Sequence, residues 1–210
     1  MRDTTQELER WLRAGGKHVG QLSIAPISGG WELRHSDDAA RDDLATFAKY
    51  EDARILANLD DTGAFRPLKT APNLRHGWRL VLRDVHSVRL ALDYFYPAMP
   101  GMWLAHRSGE VTPVELRDTL ARQTGMYRVT QKLTDEQAQR LVAKQCRSST
   151  GCLKTILWRI SANVSVPLLP PEKFRPDATP ADALPLICQE ACNILVAAAR
   201  KMVKDESPSQ

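Results

Sequence analysis

Cys146, Cys152, Cys188 and Cys192 are the four cysteines of the chain, and their spacing is the strongest chemical signal it contains. Five residues separate the first pair, three separate the second, and thirty-five lie between the pairs. Four thiolates are what a [4Fe-4S] cubane requires, one per iron. Two other readings stay open. Structural zinc sites favour two to four residues between paired cysteines, so the five-residue gap fits zinc poorly without excluding it. Free buried cysteines are also common core residues that need no metal. The polar loop Arg147-Ser148-Ser149-Thr150-Gly151 could turn backbone N–H groups toward anionic sulphur, so its hydroxyls read as loop donors rather than nucleophiles.

Other residues carry weaker signals. Arg66, Lys69, Arg75 and Arg79, with Arg83, lie on or beside a strand-like segment and are candidate contacts for an anionic ligand. A solvated strand face is the stronger reading of the same residues. His18, His35, His76, His86 and His106 are scattered without metal-ligand spacing. His76 beside Trp78 could stack on a planar ligand, although a surface or turn histidine is the commoner case. Tyr94, Tyr96, Trp103 and Tyr127 read as core or interface packing. There is no nucleophile–base pair, P-loop or GxGxxG fingerprint, so the case for an enzyme is thin.

The elements that must position these residues divide near residue 110, which predicts an α+β protein. A mixed α/β region, 1–110, carries a short antiparallel sheet and packs on an all-helical cluster-binding region, 111–204, followed by a disordered tail, 205–210. Thr4–Arg13 reads as a helix with Leu8, Trp11 and Leu12 on one side, stopped by Gly15-Gly16. Gly20–Pro26 and Trp31–His35 form a hairpin around Ser28-Gly29-Gly30. Asp37 and Asp38 are candidate caps for a helix through Leu44 and Phe47 toward Leu56, or for the first of two helices dividing that stretch. Asp61-Thr62-Gly63 marks a turn before an extended, proline-punctuated passage. Trp78–Arg83 alternates as a strand, Val85–Tyr96 has helical spacing, and Trp103–Ala105 suggests a short strand.

Helices dominate thereafter. Thr112, Pro113 and Glu115 resemble a helix start, and Thr134 with Glu136 and Gln137 caps a helix to about Gln145. Cys152 would open a helix with the stripe Leu153, Ile156, Leu157 and Ile160. Cys188 and Cys192 would share one face of a final helix begun by Pro185, with Ile187, Ala191, Ile194, Leu195 and Ala198 buried. Two helix N-termini would then favour the cluster's negative charge.

A net charge of +4 without any Lys/Arg block makes nucleic acid an unlikely partner. The N-terminal residues lack the apolar core of a signal peptide, and no apolar run is long enough to cross a bilayer. A cytoplasmic, non-membrane protein is therefore expected, in a compartment where thiols stay reduced and clustered cysteines read as metal ligands.

The C-x5-C…C-x3-C spacing resembles that of sirohaem-dependent sulphite and nitrite reductases, in which the fourth cysteine, here Cys192, bridges the cluster to sirohaem iron. The chain is too short for the reductase fold. A fuller resemblance, carried by Gly29–His35, Phe65–Pro72, Leu74–Trp78 and Gly151–Trp158, is to the stabilising and [4Fe-4S] domains found with sirohydrochlorin cobaltochelatase-like proteins of cobalamin biosynthesis. The chelatase domains themselves do not match. This resemblance implies a cluster-binding redox or accessory component of sirohaem or cobalamin synthesis. Its partner would be a separate chelatase or tetrapyrrole-pathway enzyme, and a tetrapyrrole is a candidate ligand. An iron–sulphur sensor binding nucleic acid or protein, and a zinc-stapled structural module, are the alternatives.

Overall fold

The computed structural model describes residues 3–124, 132–146, 151–160 and 179–206. The expectations for Tyr127, for 147–150 and for the tail at 207–210 lie outside them. The chain divides into two compact units, 1–110 with 179–186, and 111–178 with 187–210. Among the described residues no helix is long and apolar enough to cross a membrane.

The first unit is built on a six-stranded mixed sheet. Helix α1 (Thr4–Arg13) starts where the Asp3 carboxylate accepts the Thr5 N–H at 2.8 Å, and it buries Leu8, Trp11 and Leu12. Strands β1 (His18–Val19), β2 (Leu22–Ile27) and β3 (Gly30–His35) run antiparallel in turn, and β5 (Trp78–Leu82) adds antiparallel to β3. Gly30 is required at the β3 start, because a Cβ there would sit 2.2 Å from the Leu82 carbonyl oxygen. β4 (Ala45–Phe47) lies parallel to β5 at one edge, and β9 (Ala183–Leu184) lies parallel to β1 at the other. Alternation places Leu22, Ile24, Leu33, Trp78, Leu80 and Leu82 in the core. Helix α3 (Val85–Phe95), capped by Asp84, packs its Val88, Leu92 and Phe95 there, with Phe95 stacked on Trp78 at 5.2 Å.

Two expectations for this unit fail for identifiable reasons. Residues 38–56 form neither one long helix nor two. Only 3₁₀ turns at Ser36–Asp38 and Tyr50–Asp52 and the single-turn helix α2 (Ala53–Leu56) form, with β4 between them. The Asp38 carboxylate is buried and is drawn across the chain to accept from the Gly77 N–H at 2.7 Å and from Arg41 at 3.1 Å. The chain then runs extended beside β5, where Thr46 Oγ1 accepts from Arg79 Nε at 2.8 Å. Trp103–Ala105 is likewise not a strand but part of helix α4 (Met99–Arg107). Ala98 at φ +63° breaks α3 from α4, and Pro100 occupies the first turn, where no N–H is needed. Trp103 meets Trp11 edge-on at 6.0 Å.

The second unit is not all-helical. It combines β6 (Val114–Glu115), α5 (Leu116–Thr124), α6 (Asp135–Gln145), β7 (Thr155–Ile156), β8 (Trp158–Arg159), β10 (Ile187–Cys188) and α7 (Asn193–Glu206). β6 pairs parallel with β8, and β7 pairs parallel with β10. The start expected at Thr112 is displaced because Val114 and Glu115 join a strand ladder, so α5 begins at Leu116. The Thr134 capping box forms, with Gln137 N–H donating to Thr134 Oγ1 and Thr134 N–H donating to Gln137 Oε1. Residues 205 and 206, expected in the tail, are helical, and Glu206 accepts from Gln137 and Arg140 of α6 at 2.9 and 2.7 Å. One apolar core joins Leu116, Leu141, Val142, Ile156, Trp158, Leu195 and Ala199 among others.

Candidate iron–sulphur site

The second unit's core brings together the segments that carry the cysteines. Cys146 closes α6, its N–H donating to the Val142 carbonyl at 2.9 Å, and, like Cys188, it packs against the apolar core of this unit. Cys152 precedes β7, where its sulphur accepts the Lys154 backbone N–H at 3.5 Å. Cys188 lies in β10 opposite Ile156, and its carbonyl accepts the Leu157 N–H at 2.8 Å. Cys192 stands immediately before α7, its carbonyl accepting the first helical bond from Val196 at 2.9 Å. Thr119 of α5 is buried and joins the last two cysteines to the rest, since its Oγ1 accepts the Ala191 N–H at 3.2 Å.

These placements replace the expected helices at 152–160 and 185–192. Neither Cys152 nor Cys188 is helical, and Ile194, expected in the core, is 42% exposed. The electrostatics change accordingly. One helix begins at a cysteine, α7 at Cys192, where the positive end of the dipole favours anionic sulphur. Cys146 instead closes a helix at its negative end.

Three sulphurs share one neighbourhood. Burial pushes the Cys188 thiol up from its ordinary range, and anionic Cys152 and Cys192 would push it further, while Lys154 and the Trp158 indole pull it down. In the thiol form Cys188 donates to the Glu190 carbonyl at 3.2 Å. The Trp158 Nε1–H is buried and finds no nitrogen or oxygen acceptor, so the sulphur of Cys188 is the group it faces. A buried orphan donor costs about 1–3 kcal/mol, and an anionic acceptor on that sulphur removes the cost. This donor set, four cysteines outside any disulfide with a buried N–H and a lysine beside one of them, fits a cluster of net negative charge. It fits zinc less well. Paired cysteines of structural zinc sites have two to four residues between them, against five between Cys146 and Cys152.

The basic residues of the first unit are placed differently from the cysteines. Arg66 is 1% exposed, and its guanidinium donates to Asn73 Oδ1 and to the Ala57, Lys69 and Ala71 carbonyls at 2.7–3.3 Å. It therefore staples its own loop rather than facing a ligand. Lys69 donates to the Tyr94 carbonyl at 3.1 Å, Arg79 binds Thr46 and lies 3.8 Å from Glu32, and Arg75 is exposed. Tyr96 is fully buried with its hydroxyl accepting the Gln21 N–H at 2.8 Å, as a core residue would.

Sequence spacing missed one cluster. His35, Asp37 and His76 present ligand atoms within 4.8 Å of one another. Burial, and then the neighbouring His76, hold His35 below the ordinary histidine range. The signal lies in the pairing of β3 with β5, which sets the end of one strand beside the turn that enters the other.

Residues 108–201, including all four cysteines, match the family described as a 4Fe-4S iron–sulphur cluster binding domain. Residues 4–107 match the DR2241 stabilising domain. The two matches follow one another along the chain and together span residues 4–201. It is also similar to the crystal structure of DR2241 from Deinococcus radiodurans, with 31% identity and a TM-score of 0.73 over 98% of this chain. That protein is described as multi-domain, with structural similarity to chelatases and two additional novel domains. The present chain covers 43% of its length. No curated protein matches.

Proposed function

We propose that the chain holds a [4Fe-4S] cluster through Cys146, Cys152, Cys188 and Cys192, and serves as the redox or accessory component of a tetrapyrrole-metallating system. The observation that carries the ligand assignment is the gathering of Cys152, Cys192, Lys154 and the orphan Trp158 N–H around Cys188. The cluster supplies one-electron chemistry when bound. The protein's part is to bury it, to donate N–H groups to its sulphurs and to set a lysine beside it. The pathway assignment to sirohaem or cobalamin synthesis, with a chelatase as partner, is supported by the likeness to DR2241 and that protein's described similarity to chelatases. Such a component works in a reducing, cytoplasmic compartment, where its thiols stay available to iron.

Anaerobic reconstitution tests the reading. The full chain should bind four irons, turn brown and lose that colour in Cys188→Ser. A colourless protein that binds one zinc per chain and no iron overturns the cluster assignment. Titration of the reconstituted protein with sirohydrochlorin should shift the tetrapyrrole's Soret band; an unchanged band at excess protein removes the pathway assignment while leaving the cluster intact.

A further inference from the structure

We propose that Thr119 is a positioning residue that tunes the cysteine site. Its hydroxyl fixes the Glu190–Ala191 peptide with the carbonyl, rather than the N–H, toward the Cys188 sulphur, and so holds the reduction potential down. This role rests on the cluster reading above.

Thr119 of α5 and Ala191 are both fully buried. The Ala191 N–H donates to Thr119 Oγ1 at 3.2 Å. The hydroxyl proton is committed elsewhere, to the Leu116 carbonyl at 2.9 Å. The oxygen therefore offers the peptide only lone pairs, which accept an N–H and repel a carbonyl. In a trans peptide the C=O and N–H of one unit point in opposite directions. The bond to Ala191 thus turns the Glu190 carbonyl away from Thr119, and that carbonyl lies 3.2 Å from Cys188 Sγ, accepting its S–H.

A cysteine sulphur bound to iron has no proton to donate and carries part of the cluster's negative charge. The negative end of the Glu190 carbonyl then opposes that charge, and opposes it more once an electron is added. Two neighbours of Cys188 therefore act in opposite senses: the Trp158 N–H favours the reduced state and the Glu190 carbonyl disfavours it. Thr119→Val keeps the branched shape of the side chain and removes the oxygen. The buried Ala191 N–H is then left without an acceptor, a costly state for an amide. A turn of the peptide plane relieves it, since the anionic sulphur stands on the carbonyl side of the same peptide. Reduction should become easier.

Two measurements on the full chain test this role. In the cluster-free protein, amide exchange followed by NMR should be about tenfold faster at Ala191 in Thr119→Val than in wild type, and unchanged in Thr119→Ser, which keeps the hydroxyl. Equal exchange in wild type and Thr119→Val would remove the bond, and the proposal with it. In the anaerobically reconstituted protein, Thr119→Val should raise the midpoint potential by about 59 mV, a tenfold shift in the one-electron equilibrium. Thr119→Ser should stay at the wild-type value. Thr119→Ala, which also lacks the oxygen and cannot overpack, should show the same rise if the valine variant does not load. A merely structural role would lower the melting temperature and leave the potential in place, which overturns the proposal, as would a fall in potential. A wild type that assembles no cluster overturns the reading on which this role rests; a loaded wild type and Thr119→Val with equal potentials overturns this role alone.

Discussion

Replacing Trp158 by Phe removes one N–H and little else from the wall of the cysteine site. The indole is 2% exposed, so Phe retains most of the buried ring area. Its Nε1–H has no nitrogen or oxygen partner, so in the cluster-free protein its loss exposes no acceptor, and the volume change, about 1–2 kcal/mol, is offset at least in part by removal of the orphan donor. In the loaded protein the same N–H donates to a sulphur bearing part of the cluster's negative charge. A hydrogen bond to a charged group contributes about 1.5–3 kcal/mol, and it strengthens as the charge grows. If about 1 kcal/mol of that arises only on reduction, its loss lowers the midpoint potential by about 45 mV, since a tenfold change in a one-electron equilibrium is 59 mV. Anaerobic redox titration followed by EPR should therefore show a more negative potential with four irons still bound. Trp103→Phe, in the other unit, should leave it unchanged. A Trp158→Phe potential equal to wild type, with full iron content, would refute the N–H···S bond to Cys188.

Two further outcomes test the scaffold. Arg66→Met strips the loop of a guanidinium that satisfies Asn73 and three carbonyls, and should cost the first unit about 3 kcal/mol in urea unfolding; a change under about 1 kcal/mol would show the staple to be dispensable. Burial raises the Tyr96 hydroxyl to about 12 from its ordinary 10.0, so the folded state holds that proton more tightly than the unfolded chain does. Its contribution is complete below pH 10 and is lost as pH rises toward 12, by roughly 2–3 kcal/mol. Tyr96→Phe should be less stable than wild type at pH 8, where it abandons the Gln21 N–H, and that gap should narrow above pH 10. A gap constant with pH would contradict the buried-hydroxyl assignment.

The electrostatic picture drawn from helix dipoles needed revision at a specific place. Cys188 belongs to a strand, so its thiolate is favoured by side chains, Lys154 and Trp158, rather than by the end of a helix. Only Cys192 keeps the helical contribution, at the start of the fourteen-residue α7.

Local rules read well from the residues alone. The Thr134 capping box, the alternation of Trp78–Leu82, the hairpin about Gly29 and the 3.6-residue spacing of Val88, Leu92 and Phe95 each depend on neighbours a few positions away. The cysteine count and spacing belong with them, because they specify a ligand inventory without reference to shape. Residues 152–160 and 185–192 were misread as helix because a short apolar run satisfies helical and extended patterns equally. What decided the matter was pairing between β7 and β10, thirty-odd residues apart, which no local period records. The same holds for Trp158 beside Cys188 and for His76 beside His35. Side-chain type is written in the chain, but which distant groups meet depends on the free energy of burying whole strands against one another, and that is settled only when the fold closes.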